Sequence, residues 1–144
     1  MKLIVKTLIA GLVMSAGIAY AEVEATDPVV IARQDLMKTI GMNTKVLGDM
    51  AGGKADFDAA KAEAAKAALI AASADIGAKF ETQSTDPGEE AKPEVWTNWE
   101  DFLKKAGALN AAATALDASS LDTIKAGMGG IGGACKDCHT SYRM

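Results

Sequence analysis

From Leu121 to Tyr142 the chain reads Leu-Asp-Thr-Ile-Lys-Ala-Gly-Met-Gly-Gly-Ile-Gly-Gly-Ala-Cys-Lys-Asp-Cys-His-Thr-Ser-Tyr. Leu121, Ile124, Met128 and Ile131 recur at three- and four-residue steps, the period of a helix with one apolar face. Ser119 or Ser120 is a suitable N-cap, because its hydroxyl can accept from the orphan amides of the first turn. Gly127, Gly129, Gly130, Gly132 and Gly133 work against the helix, at about 1 kcal/mol each relative to alanine. Either the helix stops at Ala126, or it continues and the glycines let something bulky lie against its backbone.

Cys135-Lys136-Asp137-Cys138-His139 follows the glycines, and these five residues hold both cysteines and the single histidine of the chain. Cys-x-x-Cys-His is the spacing for covalent haem. Two thiols add across the two vinyl groups, and the adjacent histidine reaches the iron as an axial ligand. Residues i and i+3 share a helix face, so both sulfurs can meet one edge of the porphyrin. A redox Cys-x-x-Cys of thioredoxin type needs a βαβ setting, and no strand pattern is present. A structural zinc site needs a fourth ligand, and the sequence supplies no second cysteine pair and no second histidine. The expectation is one covalent haem c near the C-terminus.

Three further helical stretches lie upstream. The first runs from about Pro28 to Met50, with Asp27 as N-cap and proline at N1, and Ala51-Gly52-Gly53 stops it. Val30, Met37, Ile40, Val46, Leu47 and Met50 fall close to one side, with Arg33 on the Met37 face. The second runs from about Asp56 to Phe80 and consists largely of alanine, lysine and acids, all good helix formers apart from aspartate. Residues 81–92 read as a loop, through Ser84, Thr85, Asp86, Pro87 and Gly88. The third begins at Pro93-Glu94, and Trp96, Trp99, Phe102, Leu103, Ala106, Leu109, Ala113 and Leu116 keep helical spacing, with the tryptophans as core anchors. Four helices with short connections predict an all-α, antiparallel up-and-down four-helix bundle.

The first 21 residues read as an export signal. Lys2 and Lys6 precede an apolar run from Thr7 to Ala19, which ends in Ala19-Tyr20-Ala21, a cleavage pattern. The run is short for a membrane span, which needs about 20 apolar residues. Cleavage after Ala21 leaves one domain, residues 22–144, in the periplasm. The whole chain carries a formal net charge of −4, and the leader takes away two lysines and no acid, so the product is more acidic still. That sign argues against nucleic acid, whose phosphates need a basic face. With 49% hydrophobic residues the chain is too apolar to be disordered. With 5% aromatic residues it is poor material for a β-sandwich.

A second axial ligand has to come from upstream of His139, since the one methionine beyond it, Met144, is terminal. Met37, Met42, Met50 and Met128 are the candidates. Met128 shares a helix with His139 and stays on the same side. Met37 stands one turn after Arg33, so the two side chains point to one place. An arginine on a partly apolar face suits a haem propionate. Packing in the core is the ordinary role of such a methionine.

Arg33-Gln34-Asp35-Leu36-Met37-Lys38, the segment Lys92-Pro93-Glu94-Val95-Trp96, and Cys135-Lys136-Asp137-Cys138-His139 followed by Tyr142-Arg143 resemble the class II c-type cytochromes, the cytochrome c′ family. The resemblance covers essentially the whole mature chain. It implies a four-helix bundle with one haem c attached near the C-terminus of the last helix, with Arg33 and Gln34 beside the haem and Met37 facing its distal side. It also implies haem contacts from the loop at Phe80 and Ser84-Thr85, although the Phe-x-x-Gly-Thr spelling usual there is missing, and a basic residue, Arg143, one turn beyond the haem histidine. The family has a low-spin branch, in which the first-helix methionine ligates the iron, and a high-spin branch that is five-coordinate and binds NO or CO.

The expected function is therefore one-electron transfer in the periplasm, with His139 and Met37 on the iron and redox proteins as partners. The rival is a five-coordinate haem protein that binds or scavenges NO. A peroxidase is disfavoured, since no second histidine is available as a distal acid–base group, and no enzymatic activity is expected. The alanine-rich faces of the first two helices offer a surface for pairing two subunits, and members of the family are often homodimers.

Overall fold

The protein is described from a computed structural model that covers residues 23–144; the expected signal segment, residues 1–21, lies outside the described residues. Six helical segments follow in order: α1 (Pro28–Ala51), α2 (Ala59–Ala74), α3 (Ile76–Phe80), α4 (Glu94–Thr97), α5 (Trp99–Ala115) and α6 (Leu121–Tyr142). The short segments α3 and α4 extend α2 and precede α5, so the long helices among the described residues number four. Helix α1 packs on α2 and α6, and α5 packs on α2 and α6, so sequence neighbours are spatial neighbours around the square. This is the expected four-helix bundle.

Local chemistry fixes the helix ends. The Asp27 carboxylate accepts from the Val29 amide at 2.9 Å ahead of Pro28, and the Asp58 side chain caps α2 through the Lys61 amide at 3.0 Å. Ser120 and Thr123 form a reciprocal capping box at the start of α6. Gly53, with φ of 71°, makes the turn after α1, where a side chain would be strained.

The second expected helix is broken at Asp75, where the Asp75 amide reaches Ala72 three residues back, a tightened turn. The apolar stripe survives the break: Ala62, Ala65, Leu69, Ala72, Ile76 and Phe80 are all buried. The third is broken at Asn98, so Trp96 and Trp99 belong to different helices. Val46 and Leu103, both read as core, are partly exposed, at 37% and 40%. Arg33 and Val95 take core positions instead.

Helix α6 runs unbroken through its glycines to Tyr142, which overturns the stop at Ala126. The bulky group they were expected to admit is, at Gly127, the side chain of Leu116, whose Cδ1 would lie 2.4 Å from an added Cβ. Gly129, Gly132 and Gly133 face open space. The apolar stripe continues to the end of the helix as Leu121, Ile124, Met128, Ile131, Cys135, Cys138 and Tyr142, all packed in or against the core. Complete burial of Leu47, Leu69, Ile124 and Ile131 contributes about 1.5–3 kcal/mol each. The cysteines thus occupy the positions where the helix meets its neighbours.

Candidate haem site

Helix α1, the loop leading to α4 and the C-terminal turns of α6 enclose a cavity of about 650 Å³. Arg33, Gln34, Met37 and Lys38 face it from α1, and Cys138, His139 and Tyr142 from α6, with Arg143 just beyond. Phe80, Val95 and Phe102 add apolar surface, Glu89, Glu90 and Ala91 form one rim, and Val23, Glu24 and Ala25 another. Cys135, one turn before Cys138, is partly buried against the core.

The two cysteines form no disulfide with each other, and burial pushes each thiol above its ordinary pKa. The His139 imidazole is pushed down, first by desolvation and then by the Arg143 charge, with Glu90 opposing. A neutral imidazole is the form that binds metal. Lys105 donates to Asp137, inside the cysteine motif, at 2.5 Å and ties α5 to that turn of α6. Tyr142 donates to the Asp101 carboxylate at 2.7 Å; that bond and burial push its phenol up to about 12.

Arg33 is 2% exposed. Its Nε donates to the Lys79 carbonyl at 3.0 Å, and its Nη1 pairs with Glu89. The Phe80 and Trp96 rings cover the guanidinium, each with its centroid 5.2 Å away. The Trp96 indole N–H donates to the Phe80 carbonyl at 2.8 Å, which holds that cover in place. Nη2 is buried with no hydrogen-bond partner among the described residues. An orphaned charged donor of this kind is costly, and because Arg33 lines the cavity an acid group held there would answer its charge. The cavity therefore suits a haem: apolar lining, a histidine and a cysteine on one wall, and a guanidinium charge awaiting an acid group.

The structure brings Arg33, Gln34, Met37, Cys138, His139 and Arg143 to one cavity. Met42 is exposed, Met50 lies in the core, and Met128 packs near Gly48; none of the three lines the cavity. Gln34 donates to the Gly88 carbonyl at 3.0 Å, which ties α1 to the loop. Ser84 and Thr85 do not line the cavity. Ser84 donates to Asp27 at 2.6 Å instead and braces the start of α1. Arg143 lies at the rim, where it donates to Glu90 at 2.9 and 2.7 Å. Sequence reading missed Glu89, Glu90 and Tyr142, and it missed the placement of Trp96 over Arg33. Two adjacent glutamates in a loop read as solvated surface, and no local spacing signals a partner on another helix.

A family model described as cytochrome c′ matches residues 28–143. Among curated relatives, a cytochrome c′ of Rhodopseudomonas palustris is 33% identical over 146 residues, covering 99% of this chain and 97% of the relative. Among solved structures, a cytochrome c′ from Rhodobacter sphaeroides superposes with a TM-score of 0.75 at 28% identity, covering 81% of this chain and 95% of the other. A ferrous variant of cytochrome c′ from Alcaligenes xylosoxidans with bound NO superposes with a TM-score of 0.70 at 29% identity, covering 81% and 94%.

Proposed function

The chain belongs to the cytochrome c′ family, whose cofactor is covalent haem c, and on that premise we propose that it is an exported one-electron carrier. When bound, the haem supplies an iron that alternates between ferric and ferrous states. Cys135 and Cys138 would hold the group through thioethers, and His139 would ligate its iron. Met37 would supply a second iron ligand, and a thioether there would favour ferrous iron and raise the potential. Arg33 would face a propionate with its guanidinium charge, with Gln34 bracing the loop beside it. Residues 1–21 direct the chain to the periplasm, and residues 22–144 form the working domain. Its partners are other redox proteins.

One observation carries the reading: of Met37, Met42, Met50 and Met128, Met37 alone lines the cavity that His139 lines. A fixed pair of ligands keeps the coordination unchanged between oxidation states, which suits electron transfer better than chemistry on a bound molecule. Gas binding is the second reading, favoured by the NO held by the relative from Alcaligenes xylosoxidans. The optical spectrum of the reduced protein, recorded with and without CO, separates the two. A carrier gives the same spectrum in both. A spectrum altered by CO assigns the protein to gas binding.

A further inference from the structure

The loop before α4 carries two adjacent glutamates that reach different walls of the cavity. Glu89 pairs with Arg33 of α1, and Glu90 with Arg143 beyond α6. The pairs differ in burial. Arg33 and Glu89 are 2% and 10% exposed, and Arg143 and Glu90 are 55% and 42% exposed. Solvent and salt screen the outer pair, whereas the inner pair acts at a lower dielectric.

A guanidinium is planar and rigid, so holding two of its nitrogens and covering its faces determines where the third points. For Arg33 the Lys79 carbonyl holds Nε, Glu89 holds Nη1, and Phe80 and Trp96 cover the faces. Nη2 is left in the interior without an acceptor among the described residues. Glu89 is itself anchored, because its Oε1 accepts from the Ala91 amide at 2.9 Å. The carboxylate thus joins the loop to a buried cavity-lining arginine whose Nη2 has no partner among the described residues.

We propose that Glu89 is a positioning residue, setting the orientation in which Arg33 presents its guanidinium charge to the haem cavity. The proposal rests on haem in this cavity, whichever way the distal side is closed. It distinguishes two roles for one carboxylate. Acting through Arg33, Glu89 keeps a positive charge beside the haem. Acting alone, it would place a negative charge there. The two effects have opposite signs on the reduction potential, since positive charge nearby favours the ferrous state and negative charge the ferric.

The test is a redox titration of the haem-loaded protein and of Arg33→Ala, Glu89→Ala, Glu89→Gln and the double variant Arg33→Ala with Glu89→Ala. Arg33→Ala should lower the potential. Glu89→Ala should lower it too, and the double variant should fall no further than Arg33→Ala alone, the non-additivity of residues acting through one another. Glu89→Gln should stay near the wild type, because its amide oxygen still accepts from Arg33. A rise in Glu89→Ala, no change in it, or a further shift in the double variant overturns the proposal. If Glu89→Ala does not retain haem, Glu89→Gln decides: a clear rise shows direct action by the charge and overturns it, and a potential near the wild type, with Arg33→Ala lowered, supports it. A wild type without covalent haem would overturn the site assignment itself, a failure distinct from any result on Glu89.

Discussion

Asp86 holds Thr26 across 60 residues of sequence: one carboxylate oxygen accepts from the Thr26 amide at 3.0 Å and from its hydroxyl at 2.8 Å. The same oxygen accepts from the Asp27 amide at 2.8 Å, and the other accepts from Gly88 at 2.7 Å. The segment Val23–Ala25 is thereby laid along the cavity rim.

These donors, that of Gly88 foremost, hold the Asp86 pKa at about 2, against 3.8 ordinarily. A carboxyl with a lowered pKa stabilises the folded state above its unfolded pKa and loses that contribution as pH falls through the folded value. The wild type should therefore lose stability between about pH 4 and pH 2. Asp86→Asn should be less stable at neutral pH and show a shallower loss over that window. Thermal unfolding midpoints across pH 2–7 measure both, and parallel curves would refute the assignment.

Two glycines should respond to alanine with opposite signs. Gly129 faces open space in mid-helix, so Gly129→Ala should stabilise by about 0.5–1 kcal/mol. A Cβ on Gly88 would stand 2.6 Å from the Ala25 backbone, so Gly88→Ala should destabilise by about 1–3 kcal/mol. Urea unfolding of each variant supplies the comparison.

Cys135→Ala combined with Cys138→Ala should abolish covalent haem. On a denaturing gel stained for haem peroxidase activity, the wild-type band should survive acid–acetone extraction and the variant band should be absent. Haem extractable from the wild type would contradict the thioether assignment.

Met37→Ala should convert a low-spin ferric protein into a high-spin one and open the site to CO, since the iron–thioether bond no longer has to break first. Electron paramagnetic resonance of the ferric protein and CO titration of the ferrous protein report the two changes. A wild type showing only high-spin iron would make Met37 a packing residue, which is how a methionine on an apolar helix face commonly serves.

Much of the bundle was legible because helical periodicity and caps are local. Asp27-Pro28, Ser120 and the stripe through Leu121, Ile124, Met128 and Ile131 announce α1 and α6 without tertiary information. The interruptions at Asp75 and Asn98 were hidden, because the apolar spacing runs through both. Cys135-Lys136-Asp137-Cys138-His139 was legible because covalent chemistry demands that spacing within five residues. The Arg33–Glu89 pair was hidden, because its partners lie 56 residues apart and only packing brings them together. Ser84 and Thr85 show the converse: a loop matched by position to a family pattern, with the Ser84 hydroxyl donating to Asp27, the N-cap of α1.

The distances along the chain between rim partners bear on how the molecule assembles. Thr26 and Asp86, Arg33 and Glu89, and Glu90 and Arg143 are separated by 60, 56 and 53 residues. Helical turns close over three or four residues and form fast, whereas each of these ties must first overcome the entropy of closing a long loop. The individual helices therefore form before the rim closes, and its solvent-exposed ties, Thr26–Asp86 and Glu90–Arg143, are the first to fray. The least cooperative part of the fold is thus the entrance through which the haem must pass.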